Sequence, residues 1–244
     1  MIEFSEAAAL AARDAGGKGI GTLGEKSLHL ALKYYFAPDP ETHERKIGGY
    51  VADAVTEEGV IEIQTRGLSR LKPKLAAFLP CCPVTVVHPF ATEKWLVRVN
   101  ENGEVLSKRK SPKHESIFTA MREVYTLRDF LMNPRLRICL CSMHLLEYVL
   151  ATDRRRRPKL DRAPLALNEI IMLTAPEDYA AFLPKEMPVQ FSAAELRELL
   201  GTDEMHTRIF LNLLARLGCV ESVGKCGNTK LWSACDCVSD AKRG

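Results

Sequence analysis

Three acids and one amide in the N-terminal third of the chain have the types and spacing to handle a hard cation. Asp53 stands near the end of one extended run. Glu62 and Gln64 stand two apart on the next, and Glu25 lies on the helix expected before them. Side chains two apart on a strand share a face, so Glu62 and Gln64 point the same way, and a hairpin brings Asp53 to converge on Glu62. Clustered carboxylates repel one another unless a cation joins them, and Mg²⁺ or Mn²⁺ takes oxygen ligands of this kind. A cation so held activates water beside a phosphodiester. His29, one turn after Glu25 on the same helix face, reads either as a second contact to this site or as a satisfied core histidine.

The elements that must position these groups are legible in outline. Residues 3–14 read as an Ala-rich helix, and Gly16 to Gly21 as a flexible break, so 1–21 forms an N-terminal segment of its own. Thr22 with Glu25 three residues on makes a capping box. The helix it opens carries Leu28, Leu32 and Tyr35 on one face and ends at Pro38-Asp39-Pro40. Residues 46–55 read as one extended run, Glu57-Glu58-Gly59 as a turn, and 60–65 as an alternating β-branched strand. A helix over 67–79, despite Pro73, leads to a buried strand over 83–87. A polar hairpin over 94–99 and 104–110 turns at Asn102-Gly103. A helix over 115–130, a long strand-like run over 136–150 with a break near His144, a strand over 165–173 and a short helix over 176–182 follow. Pro184 to Pro188 reads as a linker. Beyond it Ser192 and Glu195 cap a helix that stops at Gly201, a second helix runs over 203–217 to Gly218, and a hairpin spans 220–223 and 229–232.

On Asp53, the Glu62-Ile63-Gln64 step on the next strand, and Glu25 on the preceding helix, the chain resembles the PD-(D/E)XK nuclease superfamily. The order helix, hairpin, helix, strand follows that family's core from about residue 22 to 88, and residues 92–182 would be elaboration on it. The resemblance implies an α/β fold, a restriction-endonuclease-like mixed sheet flanked by helices over 22–183, and Mg²⁺-dependent hydrolysis of DNA phosphodiesters. It implies that Asp53 and Glu62 ligate the metal with the backbone carbonyl of Ile63, and that Glu25 completes the acidic shell. Gln64 stands where the family usually has lysine. Glutamine orients a water but does not offset charge, and Lys72 or Lys74 on the following helix is the nearest source of the missing cation. Residues 188–235 resemble a winged helix. Its second helix opens with Asp203 and Glu204, and from Pro188 onward there are seven basic and seven acidic residues. That balance leaves DNA contact and protein docking equally open.

Other signals are weaker. Arg66, Arg70, Lys72 and Lys74 place donors just after the acids, and Lys108-Arg109-Lys110 and Arg154 to Arg157 form basic clusters on expected loops or strand edges. They suit phosphate contact, and equally suit solvated surface. Gly19-Ile20-Gly21-Thr22-Leu23-Gly24 matches a dinucleotide fingerprint but lacks the strand that must precede it. Cys219, Cys226, Cys235 and Cys237 are spaced poorly for zinc. There is no G-x-S-x-G elbow.

With 244 residues and 46% hydrophobic content, the chain can bury a core without disulfide or metal staples. No run of about 18 apolar residues suggests a membrane span. Eight irregularly spaced cysteines and an acidic opening, Met1-Ile2-Glu3-Phe4, point to a reducing, cytoplasmic setting. A net charge of +3 decides nothing about partners. The expected function is a metal-dependent DNA nuclease. The alternatives are a catalytically inactive nuclease-fold DNA-binding or regulatory protein, or an assembly factor whose winged helix docks a protein. A homodimer is open in either case.

Overall fold

The computed structural model describes residues 2–14, 26–152 and 158–235. The chain is an α/β protein with a seven-stranded mixed sheet flanked by helices and a smaller three-stranded sheet. The elements that build the large sheet's first half are α1 (Phe4–Asp14), α2 (Ser27–Phe36), β1 (His43–Ile47), β2 (Tyr50–Thr56), β3 (Gly59–Ile63), α3 (Lys72–Phe78) and β4 (Val84–Val99). The second half comprises β5 (Val105–Lys110), α4 (Ile117–Tyr125), β6 (Leu136–Leu150), β7 (Lys159–Leu173) and α5 (Pro176–Ala180). The small sheet belongs to β8 (Gln190–Ser192), α6 (Ala193–Leu200), α7 (Glu204–Arg216), β9 (Val220–Cys226) and β10 (Thr229–Ala234).

The large sheet runs β1-β2-β3-β4-β6-β7, with β5 added to β4. β3, β4 and β6 are parallel neighbours, and the outer pairs are antiparallel. β4 is the spine. Its first residues, Val84 to Val87, pair with β3, its last, Trp95 to Val99, pair with β5, and β6 accompanies both stretches. Among the described residues, no strand pairs with the β3/β5 flank of β4 between Val87 and Trp95. Proline lacks the N–H a ladder needs, so Pro89 sits where none is demanded. Glu115 stands in for a strand there: the Ala91 N–H donates to its carboxylate at 2.7 Å, and the Glu115 N–H donates to the Ala91 carbonyl at 2.7 Å.

Several expectations about elements need correction: the strand over 83–87 and the hairpin arm over 94–99 are one strand, β4, and the strand over 165–173 begins at Lys159. The run 46–55 is two strands, because Gly48 and Gly49 take positive φ and fold β1 back on β2. The helix over 115–130 stops at Tyr125, and residues 126–132 continue as turns. The break expected near His144 is a set of register shifts inside a continuous strand. Pro73 is tolerated because it falls in the first turn of α3, where its missing N–H has no partner to lose. The capping box at Thr22 and the Gly-rich segment lie outside the described residues. The described start of α2 has no cap from Lys26. Asp161 of β7 serves instead, accepting from the Ser27 N–H at 3.2 Å and from its hydroxyl.

Of the expected N-terminal segment 1–21, the described helix α1 packs on α2, with the Phe4 and Tyr35 rings 5.6 Å apart. The boundary expected between 183 and 188 separates two sheets but not two cores. β8, β9 and β10 build the small sheet in the strand order β8-β10-β9. Yet Phe191, Leu196, Phe210, Leu213 and Leu214 join Leu75, Phe78, Met121 and Val124 in one continuous apolar cluster. Phe118 of α4 meets Phe210 of α7 edge to face at 5.2 Å. The opposite face of the large sheet packs under α2 through Leu28, Leu32, Ile61, Ile63 and Val87.

Candidate functional site

The antiparallel ladder of β2 and β3 pairs Ala54 with Ile61 and Val55 with Val60. Beyond that point β3 continues alongside β4, and the ladder opens at Asp53 and Glu62. Asp53 closes the gap with its side chain. Its Oδ2 accepts from the Ile63 N–H at 2.7 Å and lies 3.3 Å from His29 Nε2 on α2. Glu62, buried to 1% exposure, takes both hydrogen bonds from Lys74 Nζ of α3, at 2.8 and 3.0 Å. Sequence reasoning thus brought together Asp53, Glu62 and Lys74. His29 is a direct partner of Asp53.

The two carboxyls are driven apart in proton affinity. Burial pushes Asp53 up, but the hydrogen bond and charge of His29 and the Ile63 N–H outweigh it and hold Asp53 below the ordinary carboxylate range. Burial pushes Glu62 up, the charge of Asp53 adds to this, and Lys74 offsets only part, so Glu62 titrates at about 7. Paired acids with diverging affinities are a signature of sites that bind cations or move protons.

Gln64 follows directly after β3. Its side-chain amide donates to the Arg66 carbonyl, its backbone N–H donates to Val87 at 2.9 Å, and its own carbonyl accepts from His88 Nδ1 at 2.7 Å. Arg162 of β7 donates to the Thr65 carbonyl at 2.7 Å. The loop carrying Gln64 to Arg66 is therefore pinned to β4 and β7. Arg66 and Arg70 line a recess with Gln64. Lys72 instead faces Asp129 at 3.7 Å and is not part of the acid pair's surroundings. Lys108, Arg109 and Lys110 sit on β5, along β4 from the acids by roughly ten residues, or about 30 Å. There Lys110 pairs with Glu93, and Lys108 lies 5.3 Å over the Trp95 ring. Glu25 and Arg154 to Arg157 lie outside the described residues.

A second feature was not read from the sequence. The unpaired flank of β4 opens a cleft of about 280 Å³ between the loop after β3, β4, α4 and β7. Its cations include Arg66, Lys94, Arg122, Lys159 and Arg162, and its acids Glu115 and Glu123. Beneath it lies Glu147 of β6, 4% exposed. Glu147 is 2.7 Å from Lys159, 3.0 Å from Arg66 and 3.6 Å from Lys94. Burial pushes Glu147 up, but these three cations outweigh it and keep it ionised. The available signal was one acid inside the apolar run 136–150. Its partners come from two separate strands and a loop, so spacing alone could not assemble them.

A fit to a divalent cation rests on donor chemistry. Asp53 and Glu62 supply two carboxylates that act on each other's charge, one held by His29 of α2 and the other by Lys74 of α3. Mg²⁺ is often held by one or two carboxylates, with waters and substrate phosphates completing its shell. Asp53 and Glu62 are donors of that type, with Lys74 as the resident counter-charge; among the described residues no group of three or more His, Cys, Asp or Glu is placed to hold a metal ion.

Comparison with known proteins gives a family and a relative. The family described as Domain of unknown function (DUF8091) matches residues 26–174, the stretch that holds both the acid pair and the basic cleft. An uncharacterised protein of Treponema pallidum (strain Nichols) is 32% identical over 220 residues, which is 87% of this chain and 86% of that one. No solved structure matches. Among the described residues, no helix is long and apolar enough to cross a membrane.

Proposed function

We propose that this chain, which belongs to the DUF8091 family, is a divalent-cation-dependent hydrolase of DNA phosphodiesters. The observation that carries this reading is the Asp53–Glu62 pair with its split proton affinities and Lys74 seated on the more buried acid. The adjacent cationic cleft supports a polyanionic substrate.

On this reading Asp53 and Glu62 hold Mg²⁺ or Mn²⁺, and the Ile63 carbonyl is the nearest further oxygen. When bound, the ion polarises the phosphoryl oxygen and eases deprotonation of water. The chain's own groups do the rest. His29 and the Ile63 N–H fix Asp53 in one orientation. Lys74 offsets the negative charge that Gln64 cannot, which makes it the counterpart of the lysine absent from position 64. Gln64, with its amide nitrogen tied to the Arg66 carbonyl, presents its side-chain oxygen as the acceptor that orients a water. The free thiols of the described cysteines support the cytoplasm as the setting. The winged-helix module supports a structural or protein-docking role more than groove reading, because α7 spends its apolar face on α4 and ties Arg216 to Asp129 at 3.6 Å.

Calorimetric Mn²⁺ binding and a plasmid-nicking assay test this together. The wild type binds Mn²⁺ and nicks, Asp53→Ala loses both, and Lys74→Met keeps Mn²⁺ affinity while losing nicking by 10²-fold or more, roughly the share of a positioned charge. A wild type that neither binds Mn²⁺ nor nicks would make the Glu62–Lys74 pair structural. The basic cleft then favours the second reading, a non-catalytic nucleic-acid-binding protein.

A further inference from the structure

The cleft beside Glu147 has more positive charge than its surroundings answer. Three cations share one carboxylate at Glu147, and Arg162 makes its hydrogen bond to a neutral carbonyl at Thr65. The two lining acids, Glu115 and Glu123, accept from the Ala91 and Leu68 N–H groups but keep their charge; with Glu147 they offset three of the five described lining cations, Arg66, Lys94, Arg122, Lys159 and Arg162, and leave two unanswered. Burial, with the charge of Arg66 adding, pushes Arg162 down to about 10. Two guanidiniums held that close repel each other, and an anion between them removes the repulsion.

The cations are also graded in depth. Lys94, with a side chain 16% exposed, and Arg162 lie on the floor, whereas Arg66 and Lys159 stand half out at the rim. A phosphodiester inside a duplex meets cations at the surface. A recessed floor is reached by a group at the end of a chain. A monoester also carries up to a second negative charge, which counts for more where water is sparse. The cleft adjoins Gln64, so a phosphate there would sit close to the strand that carries Glu62.

We propose that this cleft binds a phosphate monoester, the terminal phosphate of a nucleic-acid strand, on Arg66, Lys94, Lys159 and Arg162. The assignment to a strand rests on the function proposed above, whereas the anion site stands on the cleft's own residues. A floor at Lys94 and Arg162 takes the phosphate, and Arg66 and Lys159 at the rim meet the first diester that follows.

The test is fluorescence anisotropy in EDTA, so that no hydrolysis occurs, at one fixed salt concentration. A short single-stranded oligonucleotide with hydroxyls at both ends is compared with the same strand phosphorylated at its 5′ or its 3′ end. The expected result is about tenfold tighter binding of one phosphorylated form, abolished in Arg66→Gln and in Lys94→Met. Arg66 is exposed enough for its variant to keep the fold, which a circular dichroism melt checks. Equal affinity for all three strands overturns the proposal, as does a preference that survives both cleft variants. Inorganic phosphate and a nucleoside monophosphate serve as competitors. If either binds as tightly as the phosphorylated strand, the strand-end assignment falls. A phosphate preference in a protein that binds no Mn²⁺ would retain this site and remove the hydrolase reading.

Discussion

Glu62 places an acid where burial and Asp53 both oppose its charge, and this has a consequence for stability. Its folded pKa of about 7 lies above its ordinary value of 4.5, so the native state binds the proton more tightly than the unfolded chain. Stability from this group is complete below about pH 4.5 and is lost as pH rises through 7. The size is about 3 kcal/mol, from a shift of 2.5 pKa units at 1.36 kcal/mol each. Asp53, held low, acts in the opposite sense and only below its ordinary value of 3.8. Glu62→Gln is therefore expected to raise the unfolding free energy at pH 8 by up to that amount, read as a higher urea midpoint, and to leave pH 5 nearly unchanged. Denaturation curves at the two pH values check it, and an equal effect at both would refute the account. The acid pair was legible because hairpin register follows from period-2 alternation. Lys74 was legible only as one of two choices, since a helix after a proline does not reveal which face it turns toward a strand. Glu147 was not legible at all, because its partners Arg66, Lys94 and Lys159 are separated by tens of residues.

At the scale of elements, the turn between β2 and β3 fixes where the acid pair sits. Gly59 has φ +121°, and a Cβ there would lie 2.4 Å from the Pro83 carbonyl oxygen. That carbonyl is also the acceptor for the Val60 N–H at 2.9 Å, so it cannot move away without cost. Gly59→Ala is expected to cost about 3 kcal/mol and lower the melting temperature by roughly 6–12 °C. A melt within 2 °C of wild type would show that the turn relaxes freely. The sequence marked Glu57-Glu58-Gly59 as a turn but could not show that Pro83 closes over it, a contact made by a distant segment. In the same way, β4 read as two short strands because Pro89 and Thr92 interrupt its alternation. The continuous strand is held through that interval by β6 on one side and by Glu115 on the other. The interruption that hid the strand is also what opens the basic cleft.

At the scale of the molecule, one apolar cluster joins the large sheet's helices to the C-terminal module of the small sheet, α6 and α7. Calorimetry of the full chain is expected to show a single cooperative transition, and a chain truncated after Met187 to bind a hydrophobic dye and lack a sharp melt. Two separated transitions, or a well-folded 1–187 fragment, would contradict a shared core. Pro184 to Pro188 looked like a linker because prolines and charges cluster there. Composition reports local backbone preference, and it does not report that Phe210 on the far side packs back on Phe118.

That shared cluster also constrains how the protein is made. When residue 187 has emerged from the ribosome, α4 already displays Phe118, but Phe210 and Trp232 are still unsynthesised or inside the tunnel. About 45 more residues must be added before Trp232 can be placed, roughly 2–9 s at ordinary elongation rates. During that interval the nascent chain carries an uncovered apolar face beside the loop after β3, so holdase chaperones are expected to engage this chain late in its translation.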